Sequence, residues 1–434
     1  MSCHKFNQLK SRAGFSSLLL AGASLLLAVN HVQGQEALRI SMAGDLAASM
    51  RQQAMSSIGY YNLLLGPTAW KFSSGLGVSY NDNVRLQPKA ESDVIFRPNL
   101  DTQMHWPVSL KNSFDVSLGA GYSAYVQHSD LSQFFLTPGT GLSFDVYLGD
   151  FKINLHDRAT ITQNTYENPG TSGNNRNLVS LENALGTSVL WDLDETVFNL
   201  GYDHVNYVAL SSGQGGQPNA ASENLSANAA LRLRPELLVG LEAGGTLINY
   251  SRRDASIPLV VPGAVQWNAG FFGSAQITDY ISARLDAGYT VYTPDNTATN
   301  LVTSGSSGLY FSLSLSHRVN QWVNYTLSAG RSTDLSAYGQ AQSYYTVRVD
   351  PNWILFKKFS LSTPFWWREA SLAYNSTAYQ NQNYDQFGLG ASLGRSLSQK
   401  LTGTISYQWI KETSDQANLN YTVNIVSLNF TYRF

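Results

Sequence analysis

What this chain lacks narrows it quickly. Of 434 residues one is a cysteine, Cys3, so no internal disulfide holds the fold and no thiol pair serves redox or metal chemistry. Charged residues are 13% of the chain and the formal net charge is −2. So sparse and slightly acidic a charge gives nucleic acid no reason to bind. Beyond Val32 no apolar run approaches the roughly 18 residues that a membrane helix needs. Catalytic signatures are missing too: there is no HExxH, GxSxG, phosphate-binding loop or dinucleotide-binding pattern. His105, His128, His156, His204 and His317 are scattered without metal-ligand spacing. His128-Ser129-Asp130 names three triad residues, yet neighbours in sequence do not make a triad's geometry, and the run reads as a loop tip, where residues such as Ser and Asp are common turn formers. The expectation is a protein that is not an enzyme, with no cofactor and no metal.

The first residues read as an address. Lys5, Lys10 and Arg12 precede an apolar stretch from Phe15 to Val29, and Val32-Gln33-Gly34 comes after it. Basic, apolar, then small is the order of a secretory signal peptide, here residues 1–34. A single membrane anchor fits less well, because the stretch is short and rich in Ser and Gly. Removing three basic residues and no acidic one takes the formal charge from −2 to −5 (−2 − 3). Residues 35–69 show no alternation; Ala37 to Ser57 is expected to be a helix, either a periplasmic extension or a plug. Gly66-Pro67 punctuates the junction with the alternating region that begins at Trp70.

What is present in quantity is Gly (35), Tyr (24), Phe (19) and Trp (9), and their placement is periodic. Trp70, Phe72, Leu76, Val78 and Tyr80 alternate with Lys71, Ser73, Gly75, Gly77 and Ser79. Val94, Phe96, Leu100, Met104 and Trp106 do the same opposite Arg97, Asn99, Asp101, Gln103 and His105. The pattern recurs at Phe114 to Val126, Leu142 to Leu148 and onward from Phe151. A period of two is a β-strand with one oily and one wet face. Tight links, such as Gly149-Asp150, Arg234-Pro235-Glu236 and Thr278-Asp279, alternate with long polar ones, such as Asn81 to Ser92 and Gln163 to Asn177. Eight turns and nine loops join eighteen strands, with sixteen the outcome if one hairpin has been split. Seven tryptophans, Trp70, Trp106, Trp191, Trp322, Trp353, Trp366 and Trp367, are expected near the turn ends, as an interfacial aromatic belt requires.

The last strand, Tyr421 to Phe434, has Val426, Leu428, Phe430, Tyr432 and Phe434 at every second position and stops on Phe. Here the chain resembles outer-membrane β-barrel proteins of diderm bacteria. In these, a terminal Phe with alternating aromatics is read by the barrel-assembly machinery; Phe430, Tyr432 and Phe434 match that signal. The fold expected is all-β, a transmembrane antiparallel barrel over residues 70–434, set in outer-membrane lipid.

Parity then assigns the inner wall. Lys71, Arg97, Lys111, Lys152, Arg158, Arg232, Arg284, Arg318, Arg348 and Arg395 are expected to face inward. Asp101, Asp115, Asp145, Asp203, Glu242, Asp286 and Asp350 are expected to join them. Most suit a wall of salt bridges and hydrogen bonds; their slight basic excess favours anions weakly. Asp157 breaks an outward face and is expected near the loop end of its strand, where an outward charge costs little.

Within Tyr60 to Asp157, the stretches Tyr80-Asn81-Asp82-Asn83-Val84, Ser92 to Pro98 and Phe144 to Asp157 resemble the β-barrel porin-2 family. That resemblance implies a barrel, passage of a glycan, and periplasmic polysaccharide-export proteins as partners. The function expected is a porin-like passive channel for small hydrophilic solutes or glycans. An exopolysaccharide export component and a plugged structural or adhesive barrel are the alternatives.

Overall fold

The structure is a computed structural model that describes residues 61–164, 178–210, 219–251, 263–295, 305–335, 341–356, 358–372, 382–416 and 419–434. The signal peptide and the helix expected before residue 61 lie outside these. Alternation is obeyed along almost every strand. In Val426, Leu428, Phe430 and Tyr432 the side chains are exposed outward, while Tyr421 and Val423 are buried inward. The strands run β1 (Thr68–Asn81), β2 (Asp93–Pro107), β3 (Ser113–Tyr125), β4 (Gln133–Leu136 and Gly141–Leu148), β5 (Phe151–Asn164) and β6 (Leu178–Asp192). Next come β7 (Thr196–Ala209), β8 (Asn219–Arg234), β9 (Leu237–Ser251), β10 (Ala264–Thr278), β11 (Ile281–Pro294) and β12 (Ser306–Arg318). The wall is completed by β13 (Val323–Leu335), β14 (Ala341–Leu355), β15 (Phe359–Ser362 and Phe365–Leu372), β16 (Gln382–Ser396), β17 (Leu401–Ser414) and β18 (Tyr421–Arg433).

Each strand pairs antiparallel with the next, and β18 returns to β1 through a ladder from Ser73↔Arg433 to Asn81↔Ile425. The sheet is a closed eighteen-stranded barrel, as the alternation of turns and loops predicts. Closure satisfies backbone groups that lipid cannot, which is why only closed sheets cross a bilayer with strands. Among the described residues no helix is long and apolar enough to cross. The outward face is oily: Leu100, Leu118, Leu241, Phe271 and Leu309 are all more than half exposed. The inward face is polar, and many of its side chains are buried against one another.

Two strands are split, which alternation alone does not show. In β4 the residues Thr137-Pro138-Gly139-Thr140 interrupt the strand. Thr137 Oγ1 donates to Asp101 Oδ1 at 2.6 Å, and Gly139 takes φ +88°. In β15 Thr363-Pro364 breaks the run, since proline removes a ladder donor. Pro98 has the same effect on β2, where pairing with β3 lapses between Phe96↔Ala124 and Asn99↔Gly121.

The seam is reinforced at both ends. At the turn end, Leu63–Leu65 folds back on Thr68–Trp70 and covers the stretch of β1 that β18 does not reach. Asn62 Nδ2 donates to the carbonyls of Phe72 (3.0 Å) and Phe434 (2.8 Å), and its Oδ1 accepts from Phe72 N. At the loop end, Asp82 accepts from the backbone and side-chain nitrogens of Asn424 at 2.7 and 2.6 Å.

Candidate functional site: the inner wall

Strand register puts Lys71, Arg97, Asp101 and Asp115 on one inward-facing set, because Lys71↔Gln103, Gly77↔Arg97, Ser73↔Asp101 and His105↔Asp115 are cross-strand partners. Lys152, Arg158, Arg232, Glu242, Arg284, Asp286, Arg318, Arg348 and Asp350 also sit at inward positions of their strands. Lys111 does not belong to a strand. It lies in the turn between β2 and β3, its backbone N–H bonded to Ser109 Oγ. Arg395 is outward instead of inward, its guanidinium 4.9 Å from the ring of Phe359. Its parity is that of the outward Phe387 and Leu389 on the same strand, so alternation itself places it outward and the inward assignment is a miscount.

The carboxylates of this wall are held tightly. Asp101 accepts from Asn99 Nδ2 (2.5 Å) and Thr137 Oγ1 (2.6 Å). Asp115 meets His105 Nδ1 at 2.6 Å, and Asp203 meets His156 Nε2 at 2.6 Å. Asp145 takes Asn154 Nδ2 at 2.6 Å and Lys152 Nζ at 3.2 Å. Arg284 and Arg348 turn onto the acid two residues along, Asp286 (2.7 Å) and Asp350 (2.6 Å). Residues two apart on a strand share a face, so these pairs close over almost no backbone distance. At the turn end Arg232 reaches Asp192 at 3.3 Å. Glu242 accepts a 2.7 Å bond from the hydroxyl of Tyr310, three strands away. The tyrosine lies flat across β11 and β10 because Gly288 and Gly270 leave its path clear; a Cβ on either would come within 2.5 Å of the hydroxyl oxygen.

The basic residues divide differently. Lys71, Arg97, Arg158 and Arg433 have no side-chain hydrogen bond or ion pair among the described residues. Arg97 is exposed where Pro98 interrupts the ladder, and the other three are half-buried. Lys71, Arg97 and Arg433 share the arc β18–β1–β2, with Arg158 further round on β5.

Several wall residues leave no clear mark in the sequence. Glu412, 1% exposed on β17, accepts from Gln386 Nε2 at 3.3 Å. Trp366 faces the lumen opposite Arg348, not the turn-end belt, with the Arg368 guanidinium 6.0 Å from its ring. The run Phe365-Trp366-Trp367 hides the phase that would have shown this. Asp157 is also placed otherwise than expected. Outward-facing Ala159 and Ile161 lie beyond it, so it sits within the apolar face, where Asn183 Nδ2 donates to it at 2.6 Å.

At the mouth, the 82–92 loop folds inward. Val84 packs with Ile95, Tyr125 and Leu131, and Leu86 packs with Ile410, Tyr421 and Val423. The 126–132 loop is fixed by Asp93, whose carboxylate accepts the backbone N–H groups of Val126, Gln127 and His128. Arg85 then joins the loops, bonded to Glu91 and Asp130 at 2.9 Å each.

The chain matches no protein-family model and no curated protein, so the resemblance to the β-barrel porin-2 family gains no support there. Solved structures do match. OpdK of Pseudomonas aeruginosa, crystallised with vanillate, aligns with TM-score 0.50 and 10% identity over 84% of this chain and 99% of that one. OccD3 (OpdP) of Pseudomonas aeruginosa gives 0.49 and 11% over 86% and 93%. OccAB3 of Acinetobacter baumannii gives 0.48 and 11% over 85% and 100%. At such identities the likeness is one of fold. With its closed wall, oily exterior and polar interior, the chain is an outer-membrane β-barrel.

Proposed function

We propose that this barrel is a porin-like channel that passes small hydrophilic solutes and weakly prefers anions. The observation that supports it is the unequal handling of charge on the inner wall. Its carboxylates are tied to wall donors at short distances, whereas Lys71, Arg97, Arg158 and Arg433 have no such partner among the described residues. A held carboxylate has its charge largely answered by its donors, while a free guanidinium or ammonium projects its field into the water beside it. Barrels of sixteen to eighteen strands are wide enough to leave an aqueous channel.

Liposomes carrying the protein are expected to swell in isotonic neutral sugar. They should admit gluconate faster than protonated glucosamine of similar size. A failure to swell at all refutes the channel, and the reverse order refutes the anion preference. Passage of a glycan handed over by periplasmic export proteins is a narrower form of the same proposal, drawn from the porin-2 resemblance. It requires oligosaccharides, and not just monosaccharides, to enter.

A further inference from the structure

The ladder between β12 and β13 stops early. Pairs run from Arg318↔Asn324 up to Phe311↔Arg331 and end there. Above that point β12 stays paired to β11, from Tyr310↔Gly288 to Ser306↔Tyr292. β13 likewise stays with β14, from Ser332↔Tyr344 to Leu335↔Ala341. The two strands therefore part company in the loop-end part of the wall, and the backbone edges that face each other across the fork form no ladder. In lipid such edges are costly and are found only where something else meets them.

Arg331 meets them. Its position on β13 is outward, yet its guanidinium turns into the fork and donates through Nη1 to the carbonyl of Leu309. A methyl group on Gly308, whose Cβ would point to the lumen, would lie 3.0 Å from Nη1 and 3.1 Å from Nη2. The cation thus occupies the gap itself. Nε is buried without a hydrogen-bond partner, and the ring of Tyr345 lies 5.7 Å from Cζ. On the lipid side Leu309 is 66% exposed with Phe311 and Tyr345 exposed beside it, while Thr333 across the fork is buried against Ser343. On the lumen side Tyr310 turns away from the fork, toward Glu242.

We propose that this fork is a lateral portal between the lumen and the membrane leaflet at the loop end, used by an amphiphile with an anionic head group. The head group replaces Leu309 as the partner of the Arg331 guanidinium, and the tail passes along Leu309, Phe311 and Tyr345 into lipid. This route enters the lumen from the side and rests on the proposed open channel for its exit to water, and conductance tells failure of the channel from failure of the portal.

The test uses full-length protein in liposomes, in a Cys3→Ser background carrying Leu309→Cys and Thr333→Cys, which face each other across the fork if the register is continued. A fluorescent dodecyl phosphate is loaded in the inner leaflet, and its extraction by external albumin is followed. Bridging the two cysteines with a short thiol cross-linker is expected to lower extraction to the rate of protein-free liposomes, with potassium chloride conductance unchanged. Gly308→Trp, whose side chain would block the fork from the lumen side against the Arg331 guanidinium, is also expected to lower extraction. Arg331→Gln is expected to slow the phosphate several-fold and leave a neutral dodecyl glucoside unaffected. Extraction that persists in both the bridged and the Gly308→Trp proteins overturns the portal. An Arg331→Gln effect equal for both probes overturns the role of the guanidinium.

Discussion

At the scale of the residue, the inner wall is built by side chains that lie flat over glycines. Trp366 is the clearest case. A Cβ on Gly388 would come 2.0 Å from Trp366 Cε2, so the indole rests directly on the glycine of the neighbouring strand. Gly388→Ala is expected to destabilise the barrel by about 1–3 kcal/mol, the usual cost of overpacking, read as a lower urea midpoint in liposomes. Because the cost comes from one contact, adding Trp366→Ala should recover most of it, as coupled neighbours do. If Gly388→Ala alone leaves the midpoint in place, the ring does not rest there. Charge pairing was partly legible at this scale. Arg284 with Asp286 and Arg348 with Asp350 are two apart and must share a face. The pairing of Lys152 with Asp145 depends on the β4–β5 register, which alternation does not fix.

At the scale of the element, the strands were readable and their irregularities were not. Outward Leu and aromatic residues at every second position located β1, β2 and β3 almost to the residue, because a one-residue slip would turn the whole oily set inward. The split in β4, the early end of the β12–β13 ladder and the inward fold of the 82–92 loop leave no such mark, since each depends on contacts between segments. That loop also carries a strained residue: Leu86 has φ +53° and is 2% exposed. A left-handed non-glycine residue costs roughly 1–2 kcal/mol, and burying a leucine contributes about 1.5–3 kcal/mol. Burial is the larger effect, so Leu86→Gly should loosen the loop even though it relieves the backbone. Trypsin is then expected to cut after Arg85 faster than in the parent protein. Slower cutting would mean that strain, not burial, governs the loop.

At the scale of the whole molecule, the terminal Phe, the two faces and the rhythm of turns and loops were enough for a closed barrel of eighteen strands in the outer membrane. They were not enough for its electrostatics. A count of inward charges shows a slight basic excess, but a count weighs every charge equally. Geometry instead separates carboxylates held by the wall from the cations at Lys71, Arg97, Arg158 and Arg433 that lack such partners. The central claim is that these cations bias an open pore. The measurement that tests it most directly is single-channel recording of the protein in a planar bilayer under a salt gradient. Steady steps are predicted, with a reversal potential on the anion-selective side that moves toward zero in the Lys71→Gln, Arg97→Gln double variant. Folded protein that gives no steps, or a parent channel that reverses on the cation-selective side, would contradict the account.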